Sequence, residues 1–388
     1  MYPCIHINLD KIAENVRVMK DLTEKHHIEI TGVTKVFGGE ERIAQTLVNQ
    51  GIKRLGDSRI ENIRNYENLP CEKWLIRMPS ISEAREVVQF CDVSVNSELE
   101  TLKALNQQAI QLKKKHKVIL MVDLGDLREG YFKEEHLAEA INYAKQAKGL
   151  DLYGLGTNLT CFSFVQSDEE KMNRLLGLAK KYDASVCISG GNSATIHLML
   201  ENGVPEGINN LRLGESVLFG RERTNYEYLP GTSNDAFIME AEIIESKEKP
   251  SMPIGKIGAD SYGHVPVFTD RGIRKRAICA LGRQDVDVET MWPVDEGVEI
   301  IGASSDHLIV DVTDCEKEFK TGDRICFRLG YFAVMRAFTS KYVEKIYEKQ
   351  EIEKEKNREL VIRYHKNYCL QVMFHVALFV MQTEKRKI

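Results

Sequence analysis

Two hydrophobic textures alternate along the chain between residue 28 and about residue 213. Short apolar or β-branched runs end at polar or glycine-rich corners, and each is followed by a longer stretch with apolar positions at helical spacing. The runs predict strands near 28–34 (IEITGVT), 53–56 (KRLG), 74–77 (WLIR), 92–95 (DVSV), 118–123 (VILMVD), 152–156 (LYGLG), 185–189 (SVCIS) and 208–212 (INNLR). Helical stretches such as ERIAQTLVNQ, ISEAREVVQF, ELETLKALNQQA and EEKMNRLLGLAKKY separate them. Such alternation implies parallel strands joined by crossover helices. Eight units predict a closed (β/α)8 TIM barrel within residues 1–222, the barrel proper starting near residue 10. A doubly wound open sheet is the other architecture that fits the alternation.

Past residue 220 the helical spacing largely stops. The runs FIMEAEII, RAICALG, EIIGASS, LIVDV and RICFRLG, separated by turn residues, predict an antiparallel β-domain over 223–350, with a helical segment at 331–349. Residues 351–388 form a tail, charged at 351–366 and mostly apolar at 368–381. The apolar run is shorter than the roughly 20 residues of a membrane span and is expected to be a docked helix or an irregular extension.

Composition narrows the function classes. A net charge of −5 supplies no basic surface for nucleic acid. The nine cysteines are scattered without CxxC or metal-type Cys/His spacing, as expected of reduced thiols in a cytoplasmic protein with no metal site. The N-terminal MYPCIHINLDK lacks the cationic and apolar regions of a secretion signal.

Candidate chemistry gathers at the C-terminal ends of the expected strands, where barrels of this kind carry their sites. Lys35 ends the first strand before a Phe-Gly-Gly corner, where a partly desolvated amine is placed to attack an aldehyde. Asp123, Arg128 and Gly130 follow the fifth strand, and Thr157 and Asn158 follow the sixth. The SGGNSAT corner with Asn192 and Ser193 follows the seventh, and Arg212 and Gly214 follow the eighth. The last two corners offer the backbone amides and small hydroxyls of a phosphate site. Each corner alone is also ordinary turn chemistry.

Taken in order, these motifs resemble the alanine racemase family, pyridoxal-phosphate enzymes of fold type III. Lys35 in VTKV matches the lysine that carries the cofactor. Asp123 to Gly130 matches D-x-G-x-x-R-x-G, whose arginine, here Arg128, helps position the lysine and the substrate carboxylate. Asn192-Ser193 matches the phosphate-binding pair, and Arg212-Leu-Gly214 the R-x-G whose arginine faces the pyridine nitrogen. The segment 300–314 matches a substrate-contacting stretch with Asp306 at its aspartate, and 319–327 and 329–338 follow the family's ending. The resemblance covers roughly residues 3–348. VDLGDLREG, SGGNSAT and ALGRQDVD look like the ornithine racemase branch.

The resemblance implies pyridoxal 5'-phosphate as cofactor and racemisation of a small amino acid through Cα proton removal and return. It also implies that the first strand, CIHIN, joins the β-domain, and that a two-fold homodimer shares its active sites. Three positions depart from the family pattern. Phe37 stands where a phosphate-donating tyrosine is usual, Asn158 replaces the ring-stacking histidine, and Arg283 occupies the place of the tyrosine that serves the second face. Tyr331 is then the first candidate for that face, followed by Arg283 and Asp285, with Tyr262 a weaker option. Asp285, Asp287 or Asp306 could receive the distal ammonium of ornithine or lysine. Alanine racemase, an aldolase of D-3-hydroxy amino acids and a non-catalytic cofactor-binding protein are the competing readings. The missing tyrosine, the lack of a metal cluster and the long β-domain argue against them in turn.

Overall fold

The computed structural model describes residues 2–201, 203–259 and 263–348. Strand β1 (Cys4–Ile7) leads into helix Leu9–Glu24. Asn8 caps that helix by accepting from the Lys11 amide at 3.0 Å, which satisfies one donor that the first turn leaves unpaired. The helix then buries Ile12, Val16 and Met19. Its buried Asn15 accepts from the Ser233 amide at 2.7 Å and donates to the Ser233 carbonyl at 2.9 Å, tying the interdomain connection to the barrel.

The barrel strands are β2 (Glu29–Val33), β3 (Arg54–Asp57), β4 (Glu72–Leu75), β5 (Val93–Asn96), β6 (His116–Met121), β7 (Leu150–Gly156), β8 (Cys187–Asn192) and β9 (Asn210–Leu213). They pair in sequence order, and β9 returns to β2 in parallel, with Glu29 opposite Asn210, so the barrel is closed and the open sheet is excluded. Trp74, Val93, Val95, Ile119, Met121 and Cys187 form one buried cluster. Truncating Trp74 to alanine there would cost about 3–5 kcal/mol. Elsewhere the buried layer is polar: Ser189 Oγ donates to Asn210 Oδ1 at 2.6 Å, and Asn210 Nδ2 donates to Thr31 Oγ1 at 2.9 Å. That layer supports the arginine described below.

The β-domain contains β10 (Phe237–Pro250), β11 (Ile273–Cys279), β12 (Met291–Pro293), β13 (Glu299–Ala303), β14 (Leu308–Asp311), β15 (Arg324–Leu329) and β16 (Glu344–Tyr347). Their order is β12-β15-β10-β11-β14-β13, and β1 pairs antiparallel with β10 and also pairs with β16. The N-terminal strand therefore joins this sheet. The helix expected at 331–349 needs correction: it spans Tyr331–Thr339 only. Ser340 leaves it with extended dihedrals (φ −73°, ψ 126°), its hydroxyl donates to buried Asp285 at 3.1 Å, and the chain returns as β16. No helix among the described residues is long and apolar enough to cross a membrane. The tail at 351–388 and Tyr262 lie outside the described residues.

Candidate active site

Lys35 opens a single 3-10 turn, Lys35–Phe37, at the end of β2. Gly38 and Gly39 reverse the chain with φ of +60° and +68°, and a Cβ on Gly39 would lie 2.2 Å from the Asn62 carbonyl oxygen. Only glycine fits such a position without strain. Beneath the turn, Thr34 Oγ1 donates to Asp57 Oδ2 at 2.6 Å, and Asp57 Oδ1 accepts from Asn62 Nδ2 and the Arg59 amide, both at 3.0 Å. Burial raises the Asp57 pKa, and these hydrogen bonds oppose the rise.

The β-domain reaches the same place through helix Tyr331–Thr339. Phe37 packs edge-on to Phe338 with centroids 6.5 Å apart, so the residue standing in the tyrosine's place works as core. Lys35 Nζ lies 5.8 Å from the Tyr331 ring centroid, within electrostatic reach of its hydroxyl. Burial raises the Tyr331 pKa, more than Lys35 lowers it, so the phenol keeps its proton at neutral pH.

Arg212, buried at the end of β9, donates to Ser189 Oγ, to the Thr157 carbonyl at 2.6 Å and to Asn158 Oδ1 at 3.5 Å. Burial lowers its pKa, yet an arginine stays protonated in a protein. Asn192 Nδ2 donates to Asn158 Oδ1 and to the Leu159 carbonyl, both at 2.9 Å, and to Cys161 Sγ at 3.4 Å. The hydroxyls of Ser193 and Ser216 lie 3.2 Å apart, and the Ser216 amide donates to Ser193 Oγ at 3.2 Å. Two glycines keep these corners close-packed: a Cβ on Gly191 would meet Thr195 Oγ1 at 2.6 Å, and one on Gly214 would meet Val33 Cβ at 3.2 Å.

After β6, Asp123 Oδ1 accepts from the Gly125 amide at 2.8 Å and the Leu127 amide at 3.1 Å, shaping the loop that presents Arg128. Arg128 donates through Nε and Nη2 to both carboxylate oxygens of Glu129. Glu129 and Cys161 both lie within electrostatic reach of Arg212.

One chain thus brings together Lys35 and Tyr331, and separately Asn158, Asn192 and Arg212 beside Ser193 and Gly214. The remaining β-domain candidates have other partners. Arg283 donates to the Ala303 carbonyl at 3.1 Å and to Glu289 at 2.9 Å, while exposed Asp306 accepts from Gln284 and from Ser305 at 2.9 Å. Asp285 is interior: its oxygens accept from Ser340 Oγ at 3.1 Å and the Gly282 amide at 3.2 Å. Asp287 accepts from Thr290 Oγ1 at 2.8 Å. Sequence reasoning missed Asp57, Glu129 and Cys161. Asp57 was findable, since it ends a barrel strand as the other candidates do; Glu129 and Cys161 lie inside loops and carry no signal of their own.

The donor set fits pyridoxal phosphate: an amine at a strand end, a buried guanidinium held by neutral acceptors, and paired hydroxyls with backbone amides at glycine corners. Barrel, added sheet and site define a fold type III enzyme. Residues 7–222 match the model for the alanine racemase N-terminal domain. The chain belongs to the alanine racemase family and is an amino-acid racemase. It is 45% identical over 350 residues to an ornithine racemase of Acetoanaerobium sticklandii, covering 89% of this chain and 99% of that protein. It is 42% identical over 356 residues to a lysine racemase of Thermotoga maritima, covering 90% and 99%. Among solved structures, an alanine racemase from Bartonella henselae with covalently bound pyridoxal phosphate shares the fold, with a TM-score of 0.67 at 17% identity over 89% of this chain and 99% of that one.

Proposed function

We propose that this chain racemises a basic amino acid, ornithine first and lysine second, with pyridoxal 5'-phosphate held by Lys35. The observation that carries the reading is Lys35 at the barrel mouth, its Nζ 5.8 Å from the Tyr331 ring centroid, beside relatives of matching length that act on ornithine and lysine.

The cofactor, when bound, supplies the electron sink that makes the Cα proton removable. Lys35 would hold its aldehyde carbon; Ser193, Ser216 and nearby backbone amides would hold its phosphate; Asn158, Asn192 and Arg212 would line the ring, with Arg212 at the ring nitrogen. A guanidinium does not surrender its proton, which favours return of the proton to Cα over transfer elsewhere. Lys35 removes or returns that proton on one face, and Tyr331 holds the Lys35 amine in position. Glu129 fixes the plane of the Arg128 guanidinium, which meets the substrate carboxylate.

The acid/base of the second face is Asp306 from the β-domain of a partner in a two-fold homodimer, with Arg283 lining that face without exchanging a proton. Asp285, with both oxygens engaged inside the domain, sets the turn that carries Arg283. The eight described cysteines are all free, which supports a reducing, cytoplasmic setting. The test supplies purified holoenzyme with L-ornithine, L-lysine and L-alanine and follows the D-enantiomers by chiral analysis. Faster turnover of ornithine or lysine is expected, and alanine as the preferred substrate would overturn the assignment. A monomer by sedimentation would remove the partner's contribution.

A further inference from the structure

Three potential metal ligands converge on the sheet formed by β1 and β10. Cys4 and His6 alternate on one face of β1, and Glu240 lies directly across from Cys4 in the antiparallel register. His6 Nε2 is 2.8 Å from Glu240 Oε2, and Cys4 Sγ is 3.6 Å from each of those two atoms. Zinc bonds of about 2.3 Å to sulfur and about 2.0–2.1 Å to nitrogen and oxygen, at tetrahedral angles, separate sulfur from either partner by about 3.5 Å and nitrogen from oxygen by about 3.3 Å. Two edges of the triangle therefore already match. The third needs only the direct His6–Glu240 hydrogen bond to open by about half an ångström.

The surroundings suit an ion. Cys4 is buried, whereas the side chains of His6 and Glu240 keep 28% and 14% exposure, leaving a path from solvent. Arg324 Nη1 engages the other carboxylate oxygen, Oε1, at 3.5 Å, which leaves Oε2 turned toward Cys4 and His6. Cys326 on β15 lies opposite Glu240 in register and Glu344 is within electrostatic reach of Cys4, so a further thiol and a further negative charge flank the three.

We propose that Cys4, His6 and Glu240 bind a divalent zinc ion that pins the N-terminal strand to the β-domain, with the fourth position open to water or Cys326. Sulfur, imidazole and carboxylate together suit zinc rather than magnesium or calcium, which take oxygen ligands. Binding replaces the Cys4 thiol proton, so one proton leaves as the metal–sulfur bond forms.

The test dialyses holoenzyme against chelator and then against micromolar free zinc, and measures zinc per chain by mass spectrometry alongside the melting temperature. Wild type and Cys161→Ser should each retain one equivalent and melt higher with zinc. Cys4→Ser and His6→Gln should lose that equivalent, with affinity down about tenfold or more, since loss of even an outer-shell partner costs 10- to 100-fold. Wild type that retains no zinc, or either variant binding as tightly as wild type, would overturn the site and leave a purely hydrogen-bonded cluster.

Discussion

Tyr331→Phe separates two roles that the same residue could play. The substitution keeps the ring, and with it the contacts to Phe219 at 6.5 Å and Phe332 at 5.3 Å, so stability should change by less than about 1 kcal/mol. It removes the hydroxyl within electrostatic reach of the Lys35 amine. A hydrogen bond formed between that hydroxyl and the amine during turnover would contribute about 0.5–1.5 kcal/mol. If that energy orients the amine toward Cα, turnover should fall about 2- to 13-fold. The assay is Cα hydrogen exchange in heavy water, followed separately from L- and D-ornithine, together with chiral analysis. If Tyr331 holds Lys35, exchange on the Lys35 face must fall in step with racemisation. If Tyr331 instead served the opposite face, one enantiomer would keep exchanging at the wild-type rate without inversion while the other stopped. That asymmetric result would refute the assignment of Tyr331 to Lys35.

Three further outcomes are expected. Lys35→Ala should abolish racemisation and the visible absorbance of amine-bound cofactor after dialysis; a retained band would move the attachment to another lysine. Gly39→Ala should lower stability by about 2 kcal/mol or more, because its Cβ meets the Asn62 carbonyl at 2.2 Å in a left-handed conformation; an unchanged melting temperature would show that the turn yields. Burial pushes the His116 imidazole, 2.8 Å from Ser94 Oγ, down to about 4 from 6.5. The unfolded chain therefore takes up the proton first as pH falls, and stability present above pH 6.5 should be lost toward pH 4, by about 3 kcal/mol. Denaturant melts of His116→Gln should lack that slope, and parallel wild-type and variant curves would contradict it.

How legible each feature is in the sequence depends on how far apart its parts lie. Barrel strands buried on both faces read as apolar runs, and each corner sits within a few residues of its strand, so Lys35, Asn192 and Arg212 could be placed from local pattern. The same locality misleads where glycine serves two ends. Gly190 and Gly191 look like a turn, yet β8 runs on to Asn192, and a Cβ on Gly190 would come 2.5 Å from Ile208, so the glycine is there for close packing within the ladder. The stretch after Thr339 keeps enough helical spacing to suggest a longer helix, but pairing with β1 takes it as strand, because a ladder partner more than 300 residues away outweighs a weak local preference. Register is the least legible property of all. Nothing near position 240 announces that it will face Cys4, and the two are brought together only by the antiparallel alignment of β1 with β10 across 236 residues. Cys4, His6 and Glu240 therefore have no metal-type spacing, although in the fold their ligand atoms fall within 4.8 Å of one another. A slip of one residue in that register would turn Glu240 to the other face and dissolve the triad, which makes zinc retention a direct report on the pairing of these strands.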